Sequence, residues 1–443
     1  MTTPVYDFVK AYAASGTARL HMPGHKGKPL FLGCEALDIT EIAGAGALYE
    51  ASGIIAESER NAAVLFGSGR TLYSTEGSSQ CVRAMVYLTA ALCRPGTDTP
   101  PVIVAARNAH KAFLYAAALC GVEPVWIWPE RRETLCESGE ITPSALEETL
   151  DQLDLRPAGV YITSPDYLGN MADMAGLAAV CRRHGVPLLV DNAHGAYLKF
   201  LPASRHPLDL GAAMCCDSAH KTLPVLTGGA YLHIAADAPA AFTERAKEAM
   251  ELFGSTSPSW LALASLDRCN RDLAKGYSAR LAETVRRLDD LRAELRSRDW
   301  MIAESDPLRL TLQGDGLATA ARLRAGGVEP EYADREFCVL MATPENTPDD
   351  LARVGAALGQ NNLPPLPPAT LPPLRCERAC SPREALFAPR ETVPAAESTG
   401  RVCAAPTASC PPAIPVVVPG ERIGPEALAW FSHYGIESVE VLK

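Results

Sequence analysis

The sequence lacks an uninterrupted apolar run of about 18 residues, the length that a membrane-spanning helix requires. Its N-terminus lacks the basic stretch and apolar segment that mark a secretory signal. It also lacks a basic stripe, because 41 Lys and Arg residues stand against 52 Asp and Glu residues, a formal net charge of −11. We therefore expect no membrane and no nucleic acid among its partners, and a small molecule as substrate.

Cysteine is plentiful in this chain but is not arranged for a metal site. None of the 14 cysteines is spaced from another as C-x-x-C, the pairing that is typical of zinc sites. We expect reduced cysteines that pack as small apolar side chains, no bound metal and a cytoplasmic location.

Strands and helices alternate between residues 52 and 235. Short apolar runs predict the strands Arg70–Ser74, Pro101–Ala105, Pro124–Trp128, Gly159–Thr163, Val186–Val190 and Gly229–Ile234. Helical patterns between them predict the helices Gly77–Leu92, Ala109–Cys120, Pro143–Leu153 and Met174–His184. This alternation predicts an α/β fold with a mostly parallel sheet, whose ligands bind at the carboxyl ends of the strands.

Composition divides the chain into four parts. They are an N-terminal arm at 1–50, a large α/β domain at 51–275, a smaller α+β domain at 276–362, and a proline-rich connector with a C-terminal segment at 363–443. The smaller domain is predicted from strands at Leu308–Leu312 and Phe337–Met341 and a helix at Gly316–Ala325. The connector at Leu363–Leu374 is expected to be stiff and extended.

A lysine follows the apolar run Leu210–Cys216, in the segment Asp217-Ser-Ala-His-Lys-Thr222. Held at a strand end beside Ser218 and His220, Lys221 can form an imine with an aldehyde, provided that it is partly neutral. A solvent-exposed loop lysine is the alternative interpretation of this segment.

An aspartate ends the apolar run Pro187-Leu-Leu-Val-Asp191. A carboxylate in such a place is costly without a cationic partner, and the protonated pyridine nitrogen of pyridoxal phosphate would be one. A helix N-cap or a loop salt bridge is the alternative role for Asp191.

Two further segments follow predicted strands. In Ser74-Thr-Glu-Gly-Ser-Ser-Gln80, Gly77 permits a tight turn and Ser78 and Ser79 supply hydroxyls at a helix N-terminus, which favours phosphate binding. In the segment Ala106-Arg-Asn-Ala-His-Lys-Ala112, His110 can stack on an aromatic ring or move a proton. The alternatives are an N-cap serine and a histidine that caps a helix or packs in the core.

Together these motifs resemble the pyridoxal-phosphate-dependent ornithine/lysine/arginine decarboxylases, in the short form without an N-terminal wing domain. The similarity extends through almost the whole chain. Its landmarks are His21–Lys26, Asp38–Glu41, Ser74–Ser79, Arg107–Lys111, Asp191–Ala196, Ser218–Lys221, Ser255–Ser259 and Pro411–Glu421.

The resemblance implies the aspartate-aminotransferase-like fold of type I pyridoxal phosphate enzymes, in a homodimer or higher homo-oligomer with active sites at the subunit interface. It implies that Lys221 is the Schiff-base lysine, that Asp191 pairs with the pyridine nitrogen and that His110 stacks on the ring. The other implied cofactor-binding residues are Gly77, Ser78, Ser79, His194, Ser218, His220 and Thr256, the last donated by the neighbouring subunit. The N-terminal arm around His21–Gly27 would wrap the partner.

The implied reaction is the decarboxylation of a basic amino acid, lysine or arginine ahead of ornithine, through an external aldimine. Lys221 or His220 would return a proton to the substrate Cα. An aminotransferase or a β-eliminating lyase on the same scaffold is the first alternative, and a binding or regulatory protein that has lost catalysis is the second.

Several residues differ from the pattern of the family. Ala405 stands where an acidic or amide residue is usual, and Cys410 replaces a tyrosine. Because an acidic side chain would pair with the distal cation of a dibasic substrate, the identity of the substrate stays open. Asn192 and Tyr197 depart from the Asp-Glu-Ala-His-Gly-Ala-His form of many relatives, and Arg401 is a candidate for the substrate carboxylate.

Overall fold

The computed structural model describes residues 1–93, 99–128, 141–363, 371–407 and 414–443. These residues form two structural units, Met1–Pro95 with Pro187–Arg280 and Gly96–Val186 with Leu281–Lys443. Cys410 and parts of the proline-rich connector and of the landmark Pro411–Glu421 lie outside the described residues. The four domains predicted from composition stay a prediction.

The strands and helices are as follows in chain order. The strands are β1 (Arg70–Ser74), β2 (Val102–Ala106), β3 (Glu123–Ile127), β4 (Gly159–Thr163), β5 (Leu188–Asp191), β6 (Met214–Asp217), β7 (Ala230–Ile234), β8 (Met301–Ile302), β9 (Arg309–Gln313), β10 (Tyr332–Ala333), β11 (Phe337–Met341), β12 (Arg390–Pro394) and β13 (Ser438–Leu442). The helices are α1 (Pro4–Ala14), α2 (Gly53–Phe66), α3 (Ser78–Cys93), α4 (Lys111–Cys120), α5 (Pro143–Asp151), α6 (Met174–His184), α7 (Ala219–Thr222), α8 (Ala240–Leu252), α9 (Trp260–Leu273), α10 (Tyr277–Arg296), α11 (Gly316–Ala325), α12 (Pro348–Leu358), α13 (Pro382–Phe387) and α14 (Pro425–His433). Within the described ranges, each helix is too short or too polar to cross a membrane.

The strands of the first unit lie in the order β1-β7-β6-β5. Strand β5 is parallel to β6, whereas β7 is antiparallel to both of its neighbours, β6 and β1. Strands β1, β5 and β6 therefore run in the same direction. Every residue of β5, β6 and β7 is buried, which explains why their sequences read as continuous apolar runs.

The N-terminal arm begins with a helix that the sequence analysis did not predict. Val5 and Val9, one turn apart on α1, are buried, and the helix packs against α9. Asp267 of α9 accepts a hydrogen bond from the backbone N–H of Tyr6 at 2.8 Å and another from the hydroxyl of Ser58. Burial raises the pKa of Asp267 to about 6.

The second unit contains three parallel strands in the order β4-β2-β3 and an antiparallel sheet in the order β10-β11-β9-β8. Arg107, directly after β2, is 1% exposed and lies over the rings of Trp126 and Trp128 at 5.2 and 5.1 Å. Its guanidinium donates to Glu421 Oε2 at 3.0 Å and to the carbonyl of Val416 at 3.0 Å. This buried ion pair joins the C-terminal segment to the parallel strands of its own unit. Removing either charge would leave the other buried without its partner, which is strongly destabilising.

The predicted strands of the α/β region are confirmed, each to within two residues at either end. The strand Phe337–Met341 and the helices Met174–His184 and Gly316–Ala325 have the predicted bounds. Elements that were not predicted include helices α2, α8, α9, α12 and α13 and strands β8, β10, β12 and β13. The cysteines whose side chains are described are free.

We predict that Asp267→Asn removes one component of the pH dependence of stability. Because the pKa of Asp267 is raised in the folded state above the usual aspartate value of about 3.9, the unfolded chain loses this proton first. The free energy of unfolding should therefore fall by about 3 kcal/mol as the pH rises from about 4 to about 6.

Chemical denaturation at a series of pH values measures this effect. The variant should lack the fall, whereas Asp237→Asn, a change at an exposed carboxylate of the same unit, should keep it. If the free energy of unfolding changes with pH in the same way in wild type and in Asp267→Asn, the pH-dependent component does not come from Asp267.

Candidate functional site

One edge of the sheet in the first unit brings the predicted site residues together. Because β1, β5 and β6 run in the same direction, their last residues, Ser74, Asp191 and Asp217, lie at the same edge. All of the predicted cofactor-binding residues except His110 belong to this unit. The edge is therefore where the first unit can bind a ligand.

The serine turn after β1 has the geometry of an anion site. Gly77 has a φ of 73°, in the left-handed region that favours glycine, and its N–H donates to the carbonyl of Gly228 at 2.7 Å. A Cβ at Gly77 would meet nothing within 4 Å, so the turn faces open space. Ser78 begins helix α3, and its Oγ accepts a hydrogen bond from Ser218 Oγ at 2.8 Å. Hydroxyls from two segments thus meet at the positive end of a 16-residue helix.

The predicted Schiff-base lysine lies beside a histidine. Lys221 is on the one-turn helix α7 that follows β6, and its Nζ is 2.7 Å from Nε2 of His194. His194 is buried, whereas Lys221 is only partly buried. The Nδ1 of His220 is 3.0 Å from the carbonyl oxygen of Gly229. The structure therefore places Lys221 within hydrogen-bond distance of His194.

Asp191 is a buried carboxylate at the end of β5, with 4% of its surface exposed. Its Oδ1 accepts a hydrogen bond from the backbone N–H of Ala193 at 3.2 Å and lies 3.6 Å from the thiol of Cys216. A carboxylate at a buried strand end at the carboxyl edge of the sheet could accept a hydrogen bond from the protonated nitrogen of a pyridine ring.

The last two predicted residues lie in different places. Thr256 is exposed in the loop between α8 and α9, and the preceding residue, Ser255, donates its N–H to Glu76 of the serine turn at 2.5 Å. His110 belongs to the second unit and caps helix α4, with its Nδ1 accepting from the backbone N–H of Ala112 at 3.1 Å. The stacking role of His110 and the intersubunit role of Thr256 stay predictions.

These groups fit pyridoxal phosphate one by one. The α3 N-terminus with Ser78 and Ser218 would hold the phosphate, Lys221 would bind the aldehyde carbon, and the buried carboxylate of Asp191 would face the ring nitrogen. The donor set thus matches an anionic, aromatic aldehyde with a basic ring nitrogen.

Sequence reasoning missed a buried polar cluster behind this edge. His206 and His233 both contact Asp217, and all three side chains are completely buried. Asp217 lies in the segment that contains Lys221, but the sequence of that segment does not indicate its partners. The two histidines are distant in the sequence and lie in no motif, so only the folded chain reveals the cluster.

Residues named for the substrate side lie in the second unit. Arg401 donates to Glu391 Oε1 at 2.7 Å and to the carbonyl of Leu442 at 2.6 Å, contacts that join it to β12 and β13. The carbonyl of Ala405 accepts from the thiol of Cys403 at 2.9 Å. The role of Arg401 toward a substrate carboxylate stays a prediction.

Two family models match the chain. The model of the "Orn/Lys/Arg decarboxylase, major domain" matches residues 3–314, and that of the "Orn/Lys/Arg decarboxylase, C-terminal domain" matches residues 374–435. Together they extend over both structural units.

Individual relatives agree with the family models. The "Uncharacterized protein YaaO" of Bacillus subtilis is 29% identical over an alignment that covers 97% of this chain and 93% of that protein. The "Arginine decarboxylase" of Halalkalibacterium halodurans is 29% identical over an alignment that covers 97% of this chain and 92% of that protein. The lysine decarboxylase LdcF of Francisella novicida, a crystal structure, superposes with a TM-score of 0.80 at 17% identity, covering 100% of this chain and 81% of that one. The predicted fold of type I pyridoxal phosphate enzymes is confirmed by this likeness.

We predict that Ser78→Ala weakens the binding of pyridoxal phosphate by about tenfold or more, because it removes a hydroxyl that would donate to a charged phosphate. An absorbance titration of the cofactor-free protein measures the dissociation constant. Ser297→Ala, which removes the hydroxyl that donates to the carbonyl of Glu294 near the end of α10, is the matched control. Equal affinities for wild type and Ser78→Ala would contradict the phosphate assignment.

Proposed function

Because the chain belongs to the ornithine/lysine/arginine decarboxylase family, we propose that it is a pyridoxal-phosphate-dependent decarboxylase of a basic amino acid. The observation that carries this proposal is the meeting of Lys221, Asp191 and the serine turn at one edge of a single unit. We propose arginine and lysine ahead of ornithine as substrates.

The side chains at this edge would divide the work of holding the cofactor. Bound pyridoxal phosphate supplies an aldehyde that captures the substrate amine and a ring that accepts the electron pair left by carbon dioxide. Lys221 would hold the aldehyde carbon until the substrate arrives. Asp191 would keep the ring nitrogen protonated, which requires that the aspartate stay ionised beside it. Ser78 and Ser218 would fix the phosphate.

Decarboxylation also needs a group that returns a proton to the substrate Cα. Lys221 and His220 are the candidates, and the Nζ of Lys221 is the better placed of the two because it would already lie at the aldehyde. His194 is 2.7 Å from that Nζ, close enough to exchange a proton with the lysine. We therefore propose Lys221 as the proton donor and His194 as the group that keeps its amine oriented.

The reaction can be tested by product analysis with mass spectrometry. Purified protein supplied with pyridoxal phosphate is offered arginine, lysine, ornithine and a panel of neutral and acidic amino acids. We expect agmatine or cadaverine together with carbon dioxide. Lys221→Ala should abolish turnover, whereas Lys275→Ala, which changes an exposed lysine of the same unit, should not.

Other products would contradict the proposed reaction. A keto acid would indicate an aminotransferase, and ammonia with a keto acid would indicate a β-eliminating lyase. Full activity of Lys221→Ala would contradict the assignment of the lysine.

We also propose a homodimer, in which the N-terminal arm covers a neighbouring subunit. Several large apolar side chains of the arm are exposed in the single chain: Leu20 at 96%, Met22 at 69%, Phe31 at 85% and Leu32 at 82%. Glu35 accepts the N–H groups of Phe31 and Leu32 at 2.6 and 2.8 Å, so the loop that presents these side chains is ordered. Large apolar side chains that are exposed on one segment in this way are typical of an interface between proteins. We propose a cytoplasmic location as well.

Light scattering on the purified protein tests the dimer. We predict a dimeric mass for wild type and dissociation of the Phe31→Asp/Leu32→Asp double variant, because two charges would be buried without partners. Leu317→Asp, at an exposed position of α11 outside the arm, should leave the dimer intact. A monomeric wild type, or a double variant that stays dimeric, would contradict the role of the arm.

A further inference from the structure

The buried cluster behind the site begins with a side-chain hydrogen bond between two strand ends. Asn192 directly follows Asp191 of β5, and Asp217 directly precedes the segment Ser218–Lys221. Asn192 Nδ2 donates to Asp217 Oδ1 at 2.6 Å, and the backbone N–H of Asn192 donates to the carbonyl of Cys216 at 3.0 Å. The bond therefore joins the segment that carries Asp191 to the segment that carries Lys221.

Two imidazoles occupy the other oxygen of Asp217. His206 Nε2 is 3.0 Å and His233 Nε2 is 3.2 Å from Asp217 Oδ2. Burial alone would raise the pKa of Asp217, but these two histidines hold it well below its usual range. Because an ionised carboxylate only accepts hydrogen bonds, both Nε2 atoms must donate. Asp217 thus accepts from three side chains and keeps its charge.

The cluster extends to the strand that leads into the serine turn. Nδ1 of His233 is 2.7 Å from the hydroxyl of Thr71 on β1, and the ring of Phe66 packs at 4.3 Å from the ring of His233. With Nε2 donating to Asp217, Nδ1 of His233 accepts from Thr71. Strands β1, β5, β6 and β7 are therefore linked through one buried carboxylate.

A metal ion is the competing interpretation of this cluster. The nitrogen and oxygen atoms of the three residues lie within 4.8 Å of one another and could bind a divalent cation. In that case both Nδ1 atoms would carry protons. Nδ1 of His206 is buried and has no hydrogen-bond partner among the described residues, so it would become an unsatisfied donor. In the hydrogen-bonded arrangement, Nδ1 of His206 carries no proton and is only an acceptor. This arrangement is therefore favoured over a metal site.

The cluster also constrains which side chain is suitable at position 192, which in this chain is asparagine. Beside the ionised Asp217, a glutamate would place two carboxylates at hydrogen-bond distance in a buried site, where both cannot stay charged. The amide of Asn192 donates instead, so the residues at 192 and 217 are matched to one another.

We propose that Asp217, held by His206 and His233, is a positioning residue that fixes Asp191 and Lys221 relative to one another through Asn192. This inference rests on the proposed function of the same edge. Asp217 touches neither substrate nor cofactor in this account. It acts by setting the distance between the carboxylate for the ring nitrogen and the lysine for the aldehyde.

A pair of substitutions tests the proposal. Asn192→Asp places a second carboxylate against Asp217. Adding Asp217→Asn restores a complete set of hydrogen bonds, since the new amide can donate to the new carboxylate and accept from both imidazoles. The single variant should lower kcat by about tenfold to a hundredfold with a smaller change in KM, and the double variant should recover most of the loss. Asn61→Asp, a change at a partly exposed site of the same unit, is the control for an added charge.

The visible absorbance of bound pyridoxal phosphate, followed against pH, provides a readout that does not depend on turnover. The absorbance should shift in Asn192→Asp and return to the wild-type value in the double variant. The reason is that the protonation state of the cofactor depends on its contacts with Asp191 and Lys221, which change when the distance between these residues changes. Chemical denaturation of the cofactor-free variants shows that each one folds. Wild-type kcat and absorbance in the double variant would support the positioning role of Asp217 even where the single variant is too unstable to purify.

Specific results would overturn the proposal. They are a wild-type absorbance profile and kcat in Asn192→Asp, a folded double variant without recovery, or one equivalent of a divalent metal in purified wild type by elemental analysis. Failure of the proposed function has a different signature, because wild type would then bind pyridoxal phosphate without forming an amine, while the absorbance test would still report the positioning.

Discussion

The parallel pairing of β5 with β6 is the constraint on which the site depends. It sets Asp191 opposite Cys216, so the next residues of both strands emerge side by side at the carboxyl edge. Strand β1 runs in the same direction two strands away and delivers the serine turn to that edge. A shift of one residue in the pairing of β5 with β6 would turn the side chains of the shifted strand to the other face of the sheet.

Buried charge gives this edge its specificity. Asp217 and Asp191 both lie at strand ends where a lone carboxylate is costly. Asp217 is compensated within the protein by two imidazoles and one amide. Asp191 would be compensated by the ring nitrogen of the cofactor. Under the proposed function, one carboxylate would stabilise the frame and the other would bind the ligand, although both come from the ends of neighbouring strands.

The sequence predicted those parts of the molecule that depend on local pattern. Strand β4 and helix α6 have the predicted bounds because apolar runs and helical periodicity are local signals. Strand β12 was missed because its residues are mostly polar and exposed. The apolar runs correctly indicated that Asp191 ends a buried strand and that Lys221 follows one, whereas the roles of both residues stay predictions. The contacts of His206 and His233 with Asp217 could not be predicted, because they join residues from three separate segments and leave no periodic trace.

The measurement that tests the account most directly is the identification of the lysine that holds the cofactor. Protein loaded with pyridoxal phosphate is treated with borohydride, which fixes the cofactor covalently to its lysine, and the peptides are then sequenced by mass spectrometry. The account predicts that the modified residue is Lys221, in the peptide that contains Ser218 and His220. Modification of a different lysine, or none at all, would contradict the assignment of the whole edge as the cofactor site.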